Sequence, residues 1–336
     1  MIKDKIKKVI AGRSLSEHEM IQVMNIIMNG EATDSQIACF LTALHLKGET
    51  IEEITGAAKV MREKVRKINC SATSIVDTCG TGGDLRGTFN ISTTAALVTA
   101  GAGVVVAKHG NRSVSSKSGS ADVLSALGVN IEIDAEKIEE CLNKVGVAFL
   151  YAPKLHPAMK FAIGPRREIG IRTIFNILGP LTNPASAHAQ VIGVYDAKLG
   201  ETMAHVLANL GLKRAFVVHG EDGLDEITTT SKTRIAEMRN GKVKTYLFDP
   251  QELNINQADP KSILGGEPEE NARITEKILM GEGGPTRDIV LLNSAFAMLA
   301  AGRVEFVAEG LELAAKSVDS RAALEKLQQL REVTNS

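Results

Sequence analysis

Ile75-Val76-Asp77-Thr78-Cys79-Gly80-Thr81-Gly82-Gly83-Asp84, answered by Val104-Val105-Val106-Ala107-Lys108-His109-Gly110-Asn111-Arg112, decides the fold class. Each is a short β-branched run that ends in glycine and charge, and Ile91 to Ala102 between them reads as a helix. Strand, helix, strand signals a mostly parallel sheet, whose ligands sit outside the carboxyl ends of the strands. Both loops, 79 to 90 and 108 to 120, leave from such ends. From Leu85 to Ala121 there is no Asp or Glu, although the chain carries 40 of them in 336 residues. The same window holds Arg86, Lys108, Arg112 and Lys117 among many Ser and Thr hydroxyls. It reads as a cradle for a highly anionic ligand.

Upstream the pattern is helical. Ser16-x-x-Glu19, Thr33-x-x-Gln36 and Thr50-x-x-Glu53 are three successive capping boxes, each followed by one apolar stripe, such as Met20, Val23, Met24 and Ile27. A bundle of this kind serves packing or dimerisation. Downstream, Ala121 to Leu127 and Asp134 to Val145 read as helices and Ala148 to Tyr151 as a strand. His156-Pro157 opens a polar helical stretch with Arg166, Arg167 and Arg172, and two prolines and a glycine from Asn176 to Pro184 forbid a regular helix there. Gln190 to Tyr195 and Arg214 to Val218 resume the sheet around a helix from Leu199 to Leu210. Asn240-Gly241 is a hairpin signal, and Glu270 to the end reads as three amphipathic helices. The expected architecture is α/β: a small all-helical N-terminal domain over residues 1–70, joined by part of 160–185, and a larger domain over 71–336 with a mostly parallel central sheet flanked by helices.

Composition narrows the partners. With 44% apolar and 24% charged residues the chain has an ordinary globular balance, and its net charge of −1 leaves no global basic field for nucleic acid or a membrane surface. No Trp and 4% aromatics argue against stacking platforms for single strands. Cys39, Cys70, Cys79 and Cys141 form no C-x-x-C pair, and Met1-Ile2-Lys3-Asp4-Lys5 has no apolar leader core, so a reduced cytoplasmic setting is expected.

Three motifs carry chemistry, each with a plainer alternative. Gly80-Thr81-Gly82-Gly83-Asp84 matches neither the dinucleotide nor the Walker pattern, but its glycines let backbone N–H groups approach an anion, and the helix starting near Ser92 aims its positive end at the same place. A tight structural turn is the alternative. Asp84 suits a hydroxyl or metal partner better than a bare phosphate. Lys108 to Arg112 runs on into small polar residues through Ser120, which suits a loop closing over a ligand or a solvated face. Glu221-Asp222-Gly223-Leu224-Asp225-Glu226 follows a strand end, and Asp225-Glu226 can supply oxygen ligands to Mg²⁺ beside substrate phosphates, or simply be a solvated turn.

On these residues, over nearly its whole length, the chain closely resembles the anthranilate phosphoribosyltransferase family, with nucleoside phosphorylases as relatives of the same architecture. The resemblance rests on Asp77 to Asp84, Asn90 to Thr93, Lys108 to Asp122, Arg166 to Pro184 and Asp225-Glu226. It implies a homodimer paired through the helical domain, transferring phosphoribose from phosphoribosyl pyrophosphate (PRPP) to the amine of anthranilate in tryptophan biosynthesis. It further implies that Gly80, Gly83, Asp84, Thr88, Asn90, Ile91, Ser92, Thr93, Lys108, His109, Gly110, Asn111, Arg112, Ser113, Val114, Ser115, Ser116 and Ser120 contact PRPP. Gly80, Asn111 and Arg166 would meet anthranilate, and Ser92, Asp225 and Glu226 would hold Mg²⁺. No general base is assigned, since an aromatic amine is already neutral at pH 7. Two other readings stay open at this stage: a nucleoside phosphorylase-like enzyme, and a non-enzymatic relative that binds nucleic acid.

Overall fold

The N-terminal unit consists of α1 (Ile2–Ile10), α2 (Glu17–Met28), α3 (Asp34–Lys47) and α4 (Ile51–Lys64) in a computed structural model that describes residues 2–84, 86–113 and 117–336. All three capping boxes close reciprocally: the Ser16, Thr33 and Thr50 hydroxyls accept from the third helical N–H, and Glu19, Gln36 and Glu53 reach back to the cap backbone. The signal of helix α1 is the spacing of Ile2, Ile6 and Val9, all buried. Glu53 is fully buried. Besides its own cap it accepts the Leu15 N–H at 2.8 Å and the Lys47 ammonium at 2.8 Å.

The sheet has seven strands in the order β3-β2-β1-β4-β5-β6-β7. Strands β1 (Ile75–Gly80), β2 (Val105–Gly110), β3 (Val147–Tyr151), β4 (Ala189–Gly193) and β5 (Arg214–Gly220) are parallel. Strands β6 (Thr233–Arg239) and β7 (Lys242–Phe248) add an antiparallel hairpin turned by Asn240 and Gly241, both with positive φ. Several strands outrun their sequence reading, β5 on to Gly220 among them. Gly80 belongs to β1, and Lys108, His109 and Gly110 belong to β2 rather than to the loop, because β4 and β3 continue alongside and supply backbone partners: Gly80 pairs Gly193, and His109 pairs Leu150.

Between the strands lie α5 (Ile91–Gly101), α6 (Ser120–Ala126), α7 (Ala135–Glu140), which continues as a π turn over Cys141–Val145, α8 (Ala152–Leu155), α9 (Lys160–Ile169), α10 (Phe175–Leu178) and α11 (Leu199–Asn209). The proline-rich stretch does avoid a regular helix: α10 is one turn, followed by a 3₁₀ turn over Gly179–Leu181. The C-terminus holds four helices, not three: α12 (Pro268–Leu279), α13 (Pro285–Ala300), α14 (Val307–Asp319) and α15 (Ala322–Asn335). Helix α13 is buried nearly all round, from Ile289 to Ala300, so it has no polar face to give it an amphipathic period.

Strand alternation sorts the interior into two cores. Val191, Phe216 and Val218 face α5 and the C-terminal helices, whereas Ile192, Val194, Ala215 and Val217 face α11 and the N-terminal helices. The helical unit therefore shares a core with one face of the sheet, and Ala162, Ile174, Phe175, Ile177 and Leu178 pack into that same core. No helix among the described residues is long and apolar enough to cross a membrane.

Candidate active site

Strand order reverses between β1 and β4, and their carboxyl ends open a crevice there. Both end in glycine for a steric reason. A Cβ on Gly193 would stand 1.6 Å from the Asp225 carbonyl oxygen, and one on Gly80 2.9 Å from Asp225 Oδ2. Without side chains at these positions, the turn after β5 folds across the crevice and brings Asp225 to the glycine loop.

The acidic turn divides in two. Glu221 pairs with Arg234 at 3.2 Å, and Asp222 accepts from the Thr228 hydroxyl at 2.7 Å, from the Thr230 hydroxyl and from the Leu224 N–H, so these two acids brace the turn. Asp225 and Glu226 point the other way. Asp225 Oδ2 accepts the Gly82 N–H at 3.1 Å, and Glu226 Oε1 accepts the Ser92 N–H at 3.1 Å in the first turn of α5. Neither has a salt bridge among the described residues. Burial, with Asp84 and Glu226 adding repulsion, drives the Asp225 carboxyl well above the carboxylate range. Burial likewise pushes Glu226 up to about 7, against the pull of Lys108 and Ser92. A cation placed against them would relieve two carboxyls so unfavourably placed for charge.

Lys108 faces the same space from β2. It is buried, donates to the Thr78 carbonyl oxygen, and lies 3.4 Å from Ser92 Oγ. Burial lowers its pKa, opposed by the surrounding acids, Asp77 foremost. Behind it, the fully buried Asp77 carboxylate accepts from His109 N at 3.1 Å, Asn183 Nδ2 at 2.7 Å and Gln190 Nε2 at 3.3 Å, tying β1, β2 and β4 beneath the site. The His109 ring is buried against His156, Nε2 to Nε2 at 3.1 Å. Burial and its neighbour hold His109 down at about 3, and burial holds His156 at about 4, so both rings are neutral.

The remaining expected contacts fall into distinct groups. Asn111 is exposed, with its Oδ1 accepting the Arg112 N–H at 2.8 Å. Arg112 pairs with Asp122 at 2.9 Å, and Asp122 Oδ2 also accepts the N–H groups of Ser113 and Gly119 at 3.0 and 2.9 Å, gathering both ends of the loop. Ser120 Oγ reaches the Asn111 carbonyl oxygen at 3.3 Å beside Gly110, where a Cβ would be 2.3 Å from that hydroxyl. Val114, Ser115 and Ser116 lie outside the described residues. Ile91 and Thr93 are buried, so what they can offer a ligand is backbone. Thr88 is engaged in a bridge to Leu264. Asn90 starts α5 yet makes no side-chain cap. Arg166, on α9, is half-buried over the Phe175 ring at 5.1 Å, and burial lowers its pKa; it has no ion pair among the described residues.

Sequence reasoning passed over Arg172 as a site residue. Its guanidinium stacks on Tyr195, 3.9 Å from the ring centroid, and donates to the Gly83 carbonyl oxygen at 2.7 Å, joining the segment after α9 to the glycine loop. It also missed Asn183 and Gln190 under Asp77, and Asn271, which meets Asn90. Each acts on a partner about 90 residues or more away, and local sequence pattern carries no signal for that.

The chain matches two family models: "Glycosyl transferase family, helical bundle domain" over residues 3–65 and "Glycosyl transferase family, a/b domain" over residues 72–324. It is 56% identical to the anthranilate phosphoribosyltransferase of Geotalea uraniireducens, across the whole of both chains. Among solved structures it resembles the anthranilate phosphoribosyltransferase of Thermus thermophilus with a TM-score of 0.93 at 41% identity, covering 98% of this chain and 99% of that one. It also resembles the Saccharomyces cerevisiae enzyme in complex with PRPP and Mg, with a TM-score of 0.91 at 28% identity, covering 99% and 98%.

Proposed function

We propose that this chain, which belongs to the glycosyl transferase family that joins a helical bundle to an a/b domain and, within it, to the anthranilate phosphoribosyltransferases, transfers phosphoribose from PRPP to the amine of anthranilate, giving N-(5-phosphoribosyl)anthranilate and pyrophosphate in tryptophan biosynthesis. One observation carries the reading. Two half-buried carboxyls without salt bridges among the described residues, Asp225 and Glu226, face a buried lysine and the N-terminus of α5, whose Asn90 makes no side-chain cap, across one crevice. A polyphosphate together with a divalent cation suits both sides at once.

Asp225 and Glu226 are the residues to hold Mg²⁺, with the Ser92 hydroxyl beside them, and the ion would neutralise charge on the pyrophosphate. Lys108 and the Thr93 N–H of α5 receive the leaving pyrophosphate, and Gly80 to Asp84 with the 108 to 120 loop surround the rest of PRPP. The Arg166 guanidinium is suited to the anthranilate carboxylate and Asn111 to its side of the crevice. No side chain has to act as base, because the attacking amine is uncharged and the ortho carboxylate of the substrate can take its proton late. The buried neutral His109–His156 pair is in keeping with a structural role. A phosphorylase would need the cradle but not the paired acids, which is why PRPP is the better donor.

The domain reading remains residues 1–70 with part of 160–185 against 71–336; the shared core around Phe175 supports it. A cytoplasmic homodimer through the helical unit fits Ile10 and Leu46, which are 63% and 80% exposed there. Light scattering at micromolar concentration checks the pairing, and a monomer mass removes it. The main test is fluorescence: anthranilate emission is expected to fall when the purified chain meets PRPP and Mg²⁺ together. Unchanged emission with both present overturns the reading.

A further inference from the structure

Asn90 is an N-cap residue that does not cap. Asparagine is among the preferred residues at that position because its side-chain oxygen accepts an N–H of the first turn. Here the side chain is turned away from α5, and two partners hold it there. Asn90 Nδ2 donates to the Ser118 carbonyl oxygen at 3.1 Å, and Asn90 Oδ1 accepts from the Ser118 hydroxyl at 3.1 Å and from Asn271 Nδ2 at 2.9 Å. Asn271 is 1% exposed on α12, and its own Oδ1 accepts the Gly266 N–H at 2.8 Å.

The orientation of both amides is thereby settled by backbone groups. The Gly266 N–H requires the oxygen of Asn271 on its side, which leaves the Asn271 amide nitrogen facing Asn90; the Ser118 carbonyl requires the Asn90 nitrogen on its side, which leaves the Asn90 oxygen facing Asn271. The segment that carries Gly266 is fastened to the start of α5. Gly265 N donates to the Gly87 carbonyl oxygen at 2.9 Å, Thr88 bridges Leu264, and a Cβ on Gly265 would stand 2.6 Å from the Phe89 backbone.

We propose that Asn271 is a positioning residue for PRPP: it draws the Asn90 side chain off the end of α5, so that the Thr93 N–H stays open to phosphate beside the Ile91 and Ser92 N–H groups that Phe89 and Glu226 already take, and Asn90 grips the loop at Ser118 instead. Without the Asn271 donor, Asn90 swings back to cap Thr93 N–H and occupies the place of the ligand. This rests on the assignment of the α5 end to PRPP made above.

Asn271→Asp keeps the acceptor for Gly266 and replaces the donor to Asn90 with a carboxylate oxygen. Assayed at pH 8 in the full chain, it is expected to raise the PRPP KM about tenfold, the scale of one hydrogen bond to a charged group, with the anthranilate KM within about twofold and an unchanged thermal midpoint. Asn271→Leu removes both bonds, and is expected to lower the midpoint while giving the same split between the two KM values. Hydrogen exchange without any substrate supplies a second reading: the Thr93 amide is expected to exchange about tenfold more slowly in Asn271→Asp than in the parent. An unaltered Thr93 rate overturns the proposal, as do equal rises in both KM values or an unchanged PRPP KM. Should the parent chain fail to consume anthranilate while Thr93 slows as expected, the PRPP assignment fails and the capping switch stands.

Discussion

Helices α2, α3 and α4 begin with closed capping boxes, whereas α5 begins with an asparagine whose side chain does not cap its own helix. The same contrast runs through the charges. In the N-terminal unit Glu53 meets Lys47 and two backbone N–H groups, and Glu19 meets Lys5 and Lys8. In the crevice Asp225, Glu226 and Lys108 are brought close in surroundings that resist their charge. A region whose polar groups are all answered contributes stability. One whose groups are left open gives up stability and gains a ligand.

The contrast can be broken most severely at the crevice. Replacing Asp225→Asn together with Glu226→Gln is expected to lower turnover by at least about a hundredfold, the scale of losing a group aimed at transition-state charge, and to abolish dependence on Mg²⁺. The thermal midpoint should hold or rise, because two half-buried, mutually repelling acids are removed. Near-normal turnover in that variant would sink the metal role of both residues.

Glu53→Ala is the converse. It leaves Lys47 buried beside two unanswered N–H groups, and chemical denaturation should show a loss of about 3 kcal/mol. KM values for both substrates are expected to stay within about twofold, and a selective change in either would mean that the bundle reaches the site.

The smallest effect is acidic. His109 and His156 are held near 3 and 4 in the folded chain, below the ordinary histidine value of about 6.5. Between these limits the unfolded chain binds more protons than the folded one, so stability is intact above about pH 6.5 and falls as pH drops toward 4. Denaturation midpoints for His156→Phe should flatten over that window relative to the parent. An unchanged slope would mean that other groups govern the acid limb.

Much of this was legible in the chain. Capping boxes and stripes mark α2 to α4, because a helix N-terminus is closed by residues three apart. The β-branched runs mark the parallel strands, and Asn240-Gly241 the hairpin. The crevice was half legible: the acid-free window and the Asp225-Glu226 pair are statements about composition, and composition survives without coordinates. The sequence pointed to Asp225-Glu226 in this turn but not to what holds Glu221 and Asp222 back, since that depends on Arg234, Thr228 and Thr230.

The sequence by itself determined the alternation of strand and helix, the closed caps of the bundle and the identity of the charged loops, all of which depend on neighbours within a few residues. Tertiary structure alone decided that the strand order reverses at β1 and β4, that Arg172 clamps Gly83, and that Asn271 turns Asn90 away from its own helix. These depend on hydrogen bonds between residues about 90 to 180 positions apart. Such bonds form only once the two cores have brought the distant partners together.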